Sequence, residues 1–340
     1  MRRRSLTLLI ATAGVIAALA IAVLVPVPYV ILGPGPTLNT LGDVSGRPLI
    51  TITGHPTYPT SGHLNMVTIG SSGGPGDNIN IFTALAAWLN PHEAVVPESE
   101  LYPPGESAEQ TQQQDTQEMT NSQQTATAAA LSELHIPYQV VVAQAVKGYP
   151  AYGVLRSGDV ITAVDGTAVT SQSSLTGLIN AHPAGTTLTL TIIRNGQTQT
   201  VRVATKQSDG DRIIGVEIGG YKFPFTVKIT VGDIGGPSAG MMFALGIIDK
   251  LSPLNLAGGK FIAGTGEITA TGQVQAIGGI QQKMIGARQA GATIFLTPAS
   301  NCSDVKGAVP AGLRIVKVAT LTQAVNDLEA IKAGQPVPSC

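Results

Sequence analysis

Apolar positions along the chain fall into distinct kinds of run. Ser5 to Val25 is 21 residues without a charge, closed by Pro26 and Pro28. At about 1.5 Å per residue it predicts a helix roughly 30 Å long, the depth of a bilayer core. Phe225 to Val231 alternates Phe225, Val227, Ile229 and Val231 with Thr226, Lys228 and Thr230, which predicts a half-buried strand. Met241 to Ile248 is apolar on every side, as in a helix buried all round. Helical spacing recurs in Ile280, Met284 and Ala287 (a helix over 280–290) and in Leu321, Ala324, Val325, Leu328 and Ile331 (an amphipathic helix over 321–331). Met119, Ser122, Ala126, Ala129, Ala130 and Leu134 form a further packed stripe at that spacing. Ala292 to Leu296 reads as a buried strand.

Between these runs the elements are shorter. Tyr138 to Ala143 predicts a strand, Gly158-Asp159 and Asp165-Gly166 predict tight turns, and Ser171 to Ala181 predicts a helix with Leu175, Leu178 and Ile179 inward. Leu188 to Ile193 and Gln199 to Val203 flank Asn195-Gly196, a type I′ hairpin signal. Tyr29 to Thr60, rich in Gly, Pro and Thr, predicts a linker followed by strands. Glu106 to Gln124 is crowded with Gln and Thr and could pass for disorder, except that its end carries the Met119 stripe. The mixture points to an α+β chain behind an N-terminal transmembrane helix.

Charge supplies the setting. Of 340 residues only 12% are charged, the net charge is -1, and the basic residues are scattered after Arg2-Arg3-Arg4, so nothing suggests nucleic acid. Three arginines precede the long apolar run and no charge follows it until Asp43, which places the N-terminus in the cytoplasm and the rest outside. A cleaved signal peptide is the rival reading; the apolar run is long for one and Val25-Pro26-Val27-Pro28 is a poor cleavage site. Cys302 and Cys340 are the only cysteines and outside the cytoplasm could pair or remain free.

The candidate chemistry centres on Gly232 to Gly240, a Gly-rich turn between the predicted strand and buried helix, with Pro237 and Ser238 expected in the first helical positions. Such a turn can hold a hydroxyl nucleophile beside free N–H groups, or can simply be a helix cap. Gly236-x-Ser238-x-Gly240 matches the nucleophile elbow, which needs a later acid and His; the histidines are 55, 63, 92, 135 and 182, so none follows Ser238. Lys283, after Ile277-Gly278-Gly279, is the best base, provided that burial keeps its amine neutral. Gly70 to Gly74 repeats the elbow pattern without a buried helix behind it and reads as a loop. His92-Glu93 has no second His at zinc spacing. No Walker A pattern occurs: Gly259-Lys260-Phe261 lacks the first Gly and the hydroxyl residue.

Gly236 to Gly240, Gly264-Thr265-Gly266-Glu267-Ile268-Thr269 with Gly272-Gln273-Val274, Ile277-Gly278-Gly279 with Lys283, and Pro298 to Asn301 resemble, in order and spacing, the proteolytic domain of Lon proteases. The resemblance implies Ser238 as nucleophile and Lys283 as base, supported by Thr265, Gly236, Pro237 and Ala239, with Thr265 hydrogen-bonded to the lysine. Two departures stand out: Gly235 replaces an acidic residue usual in ATP-dependent Lon, and there is no ATP motor. Pro137 to Thr205 resembles the PDZ domains of bacterial proteases, which implies binding of an extended peptide, often a C-terminus, with the carboxylate loop guessed at His135 to Tyr138 and contacts at Ile136, Pro137, Tyr138 and Leu175. Expected boundaries are 1–28 (cytoplasmic tip and transmembrane helix), 29–61 (linker and strands), 62–136 (first part of the Lon-like domain), 137–206 (PDZ-like insertion), 207–333 (Lon-like catalytic domain) and 334–340 (tail). The resulting expectation is a membrane-anchored, ATP-independent serine endopeptidase acting on flexible or unfolded polypeptide, with no metal or cofactor. Homo-oligomers occur in Lon relatives. The rivals are an inert PDZ/Lon-like scaffold binding peptide termini, and a protease restricted to processing itself.

Overall fold

The computed structural model describes residues 2–103, 105–208 and 210–340; Met1, part of the expected cytoplasmic tip, lies outside the described residues. Helix α1 (Arg2–Leu24) contains one segment, Arg4–Leu24, long and apolar enough to cross a membrane, with a mean hydropathy of 2.6 and none of it buried against the rest of the chain. Strand β1 (Tyr29–Asn39) follows directly, then β2 (Ile50–Thr53), β3 (His63–Ser72), α2 (Ile81–Leu89), β4 (Ala94–Pro97) and α3 (Ala108–Glu133). The segment expected as linker and strands thus begins with an inner strand: β1 lies between β3 and β4, antiparallel to both. Pro34 and Pro36 cannot donate ladder hydrogen bonds, and the pairing of β1 with β3 shifts register between Pro34 and Thr37. Gly70 to Ser72, expected in a loop, instead completes β3 opposite Gly33 to Ile31. The polar stretch after Glu106 is helical throughout, because Ser107 and Gln110 form a reciprocal capping box at its start.

Five strands form the path of a second sheet: β5 (Gln139–Ala145), β6 (Val160–Val164), β7 (Thr187–Arg194), β8 (Gln197–Ala204) and β9 (Val216–Lys222), in the order β8-β7-β6-β5-β9 and all antiparallel, with the short segment Thr167–Ala168 paired off that path to β6. Helix α4 (Gln172–Asn180), capped by the Ser171 hydroxyl, packs beside it through Leu175 and Ile179. Asn195 and Gly196 both adopt positive φ (53° and 76°) in the β7–β8 hairpin, as a type I′ turn requires. Strand β9 lies beyond the 137–206 range, so the sheet draws on chain that sequence reasoning gave to the catalytic part. Asp159 does more than make a turn. It is 1% exposed and accepts from Arg194 Nε (2.7 Å) and Nη2 (2.6 Å) and from the Arg156 N–H (2.8 Å).

The chain then returns through β10 (Thr226–Ile229, paired with β2), α5 (Gly240–Leu251), β11 (Phe261–Gly264), α6 (Ile280–Gln289), β12 (Ile294–Pro298), β13 (Arg314–Val318) and α7 (Leu321–Lys332). The main sheet runs β13-β12-β11-β3-β1-β4, with parallel pairing from β3 through β13. Alternation along its strands separates two packed faces. Leu64, Met66, Ile262 and Leu296 join α5 in one apolar cluster, whereas Val67, Ala263 and Phe295 join Ile280, Met284 and Ala287 of α6 in another. Helices α5 and α6 therefore cover opposite faces, and their N-terminal ends meet at the carboxyl end of β11. Residues 334–340 are held too: Cys340 is disulfide-bonded to Cys302, and the Pro338 carbonyl accepts from Lys317 N–H (3.0 Å).

Removing one partner of a buried, hydrogen-bonded ion pair strands the other charge. Asp159→Ala is expected to cost the second sheet about 3–5 kcal/mol, read as a lowered denaturation midpoint, and Asp159→Ala combined with Arg194→Met should recover part of that loss.

Candidate active site

Ser238 sits on the turn between β10 and α5. The helix begins at Gly240 with Ala239 as its N-cap, so Ser238 lies just outside the first helical turn and not within it. The Gly236-Pro237 bend, with Gly236 at φ 81°, moves the helix start from Pro237 to Gly240. Neighbouring elements fix the turn by its backbone. Ser122 Oγ of α3 donates to the Pro237 carbonyl (2.9 Å), Gly236 N–H donates to the Asp115 carbonyl (3.1 Å), and the Ser238 carbonyl accepts from both Gly266 N–H (2.8 Å) and Thr265 Oγ1 (2.9 Å). Small residues make this approach possible: a Cβ at Gly240 would lie 2.9 Å from Ile268 Cγ2 and 3.1 Å from Ser122 Oγ.

Lys283 lies in the first turn of α6, after Gly279 in the left-handed region (φ 63°). A Cβ on Gly279 would fall 2.1 Å from Ile69 Cδ1, so a side chain there would have to displace Ile69 as well as adopt a left-handed backbone that favours glycine. Asn301, also buried, accepts from Ile277 N–H (2.9 Å) and donates back to the Ile277 carbonyl (3.0 Å), which fixes the segment leading into the helix. The Lys283 ammonium then reaches over Thr265, the residue after β11, and donates to Ser238 Oγ at 2.8 Å and to Thr265 Oγ1 at 3.4 Å. Lys283 is 3% exposed and Thr265 fully buried. Burial disfavours the charged amine and brings its pKa down from 10.5 to about 8. Ser238, Lys283 and Thr265 are thus brought together, with Gly236, Pro237 and Ala239 shaping the turn.

A cavity of about 350 Å³ opens in front of Ser238 and Lys283, lined also by Met66, Ile69, Asp115 and Met119. Asp115 was not foreseen. It lies on α3, where the Gln-rich composition hid the helix; the Ser107-x-x-Gln110 capping pattern was the signal available. Its pKa is raised by burial and by the nearby Glu118 and Glu106 carboxylates. Helix α3 also explains Gly235, since a Cβ there would sit 2.5 Å from Asp115 Cβ, so the acidic side chain usual at that position in ATP-dependent Lon has no room. Among the described residues no group of three or more His, Cys, Asp or Glu could hold a metal ion.

The expected peptide contacts divide. Leu175 lines a groove of about 360 Å³ with Ile179, Ile214, Val216, Ile218 and Arg212, between α4 and the edge strand β9. Ile136, Pro137 and Tyr138 do not line it. Tyr138 is buried, its hydroxyl bonded to Ser132 Oγ (3.1 Å) and accepting from Gln172 N–H (3.2 Å), while its ring packs edge-on against Tyr221. The entry to β5 is therefore a packing joint with α3, and the segment beside the groove is Arg212 to Gly215, the end of a short strand (Asp211–Ile213) and its link to β9. Arg212 Nε is buried there without a hydrogen-bond partner. The apolar run Ile213-Ile214 before β9 was the available signal, but it lay in residues given to the catalytic domain.

Two families of known proteins match parts of the chain. Residues 111–205 match the PDZ domain family, and residues 227–331 match the Lon protease (S16) C-terminal proteolytic domain. The first match starts on α3, which packs on the Ser238 turn. A Lon protease from Heliobacterium modesticaldum is 38% identical over 109 residues, which is 30% of this chain and 13% of that protein's length. Among solved structures, the PDZ domain of the SdrC-like protein from Listeria monocytogenes aligns with 24% of this chain and 86% of its own (24% identity, TM-score 0.23). Its counterpart from Listeria innocua aligns with 24% and 93% (23% identity, TM-score 0.23). The chain is thus Lon-like, carrying a PDZ domain followed by a Lon-type proteolytic domain that contains Ser238, Thr265 and Lys283.

Proposed function

We propose that the protein is an ATP-independent serine endopeptidase with a Ser238/Lys283 dyad, anchored in the membrane by α1 and cleaving flexible or unfolded polypeptide. The observation that carries the reading is the 2.8 Å contact between Lys283 Nζ and Ser238 Oγ within a buried, proteolytic-domain fold. The neutral amine of Lys283 takes the Ser238 proton as the hydroxyl oxygen attacks the peptide carbonyl, and the resulting ammonium returns that proton to the leaving amine. Water then attacks the acyl-enzyme with Lys283 again as base, releasing the acid and restoring the hydroxyl. Thr265 Oγ1, whose proton is committed to the Ser238 carbonyl, turns a lone pair to the lysine and holds its direction. Around the turn, the N–H groups of Gly236, Gly240 and Met241 are taken by the carbonyls of Asp115, Pro237 and Gly266. The N–H groups of Ser238 and Ala239 are the candidates for the oxyanion. With no Walker A pattern, the enzyme takes segments that are already extended.

The PDZ groove supports a second part of the same reading, capture of a peptide C-terminus. An extended segment can pair with the outer edge of β9, place an apolar side chain against Leu175 and Ile179, and set its carboxylate on Arg212.

The purified full-length chain is expected to degrade an unfolded protein equally with and without ATP. Ser238→Ala and Lys283→Ala should each reduce cleavage by at least about 10²–10⁴-fold; cleavage retained by either variant would remove the dyad. Only the neutral lysine acts as base, so kcat/KM should climb with pH, roughly tenfold per unit, and level off above about 8. A profile already flat from pH 6 would rule Lys283 out as the titrating base. For the groove, Arg212→Ala is expected to weaken binding of an apolar-ended peptide about tenfold while leaving binding of the same peptide, amidated at its C-terminus, unchanged.

A further inference from the structure

Helix α2 presents an apolar face that no described residue covers. Its nine residues, Ile81–Leu89, contain no charge. Ala84 and Ala87 turn inward against Ile31 and Ile79, while Phe82, Leu85, Trp88 and Leu89 point out, with Trp88 72% and Leu89 77% exposed. These four positions fall on one helical face. An exposed strip this apolar is the mark of a contact surface.

Its position says what the contact is. Val27 N–H donates to the Ile79 carbonyl (3.0 Å), two residues before α2 begins. Only three chain steps separate Leu24, the end of α1, from Val27, so the tie lies within about 11 Å of the helix end. Val27 also packs in the cluster beneath α2, and α1 itself contacts α2. If α1 spans a bilayer, α2 is bound to lie at the surface where α1 emerges. We propose that α2 is an interfacial helix that inserts Phe82, Leu85, Trp88 and Leu89 into the lipid interface and holds the folded part of the protein against the membrane. The proposal rests on the membrane anchoring suggested above and adds a second, independent point of attachment. Trp at the headgroup level and a short, flat-lying apolar face are what the interface favours. The occupant is zwitterionic lipid: between Arg47 and Lys147 the sequence has no lysine or arginine, and Glu93, Glu98 and Glu100 flank this region, so attraction to anionic headgroups contributes nothing. A second copy of the chain is the competing occupant.

Trp88 is the single tryptophan, so its emission reports this face alone. The full chain, reconstituted in phosphatidylcholine vesicles, would be measured with lipids brominated at shallow or deep acyl positions and with aqueous iodide, and its membrane insertion checked by alkaline carbonate extraction. The expected result is strong quenching by shallow bromines, weaker quenching by deep ones, and protection from iodide. Leu85→Ser with Leu89→Ser should lose the bromine quenching yet stay carbonate-resistant and keep its rate on a soluble peptide. Trp88 open to iodide and untouched by bromolipid in a carbonate-resistant chain would overturn the proposal while leaving the anchor intact. Protection from iodide without bromolipid quenching would also overturn it, in favour of a second copy. Carbonate release with loss of quenching removes anchor and proposal together, whereas carbonate release with quenching retained removes only the anchor.

Discussion

A lysine amine held against a serine hydroxyl, away from water, is the constraint around which the rest of the protein is arranged. In bulk solvent that amine would be protonated and hydrated and could take no proton; burial alone lowers its pKa to about 8. Keeping it dry and aimed demands that two helices on opposite faces of one sheet bring their first turns to the same strand end. Glycine makes the meeting possible. Gly279 admits Ile69, Gly240 admits Ser122 and Ile268, and Gly235 admits Asp115. Thr265, at the junction, bonds the serine's carbonyl on one side and its lysine on the other. Each contact is a backbone or short-side-chain contact, which leaves little freedom for the two reacting groups to drift apart.

Local chemistry is what the sequence made legible. The Gly-rich turn before an all-apolar helix and the lysine after Gly278-Gly279 made Ser238 and Lys283 candidates, the resemblance to Lon proteolytic domains implied their roles, and the structure sets them 2.8 Å apart. The Asn195-Gly196 hairpin was readable because both residues tolerate positive φ. Features that depend on distant chain were not. Asp115 reaches the site only because α3 crosses the turn, and no periodicity carries that information. Strand β9 joins the PDZ sheet by pairing with β5 some 75 residues earlier in the chain, so its boundary could not be placed by composition. Tyr138 looked like a groove residue because it opens the module, but its aromatic bulk is spent on packing with Tyr221 and Phe223. The helix start was misplaced for a subtler reason: proline suits a first helical position, but here the Gly236-Pro237 bend leaves Ser238 outside the helix.

Helix α3 joins the two halves of the molecule. Near its start the Asp115 carbonyl receives Gly236, at its middle Ser122 holds Pro237, and near its end Ser132 meets Tyr138 at the entry to the PDZ sheet. The return connection is equally short. Strand β9, the edge beside the groove at Leu175, is followed within four residues by β10, and β10 leads into the Ser238 turn. A single helix and a single short link therefore set the distance between the groove and Ser238. Coupling of that kind is positional. Allostery needs an element with two arrangements that both sites bias, whereas α3 is held at three points along its length, at Asp115, Ser122 and Ser132. On the function proposed above, a peptide end held on β9 would be delivered at a set distance from Ser238, so the length of flexible chain between that end and the scissile bond, more than the identity of the residues around the bond, is what such an arrangement would select.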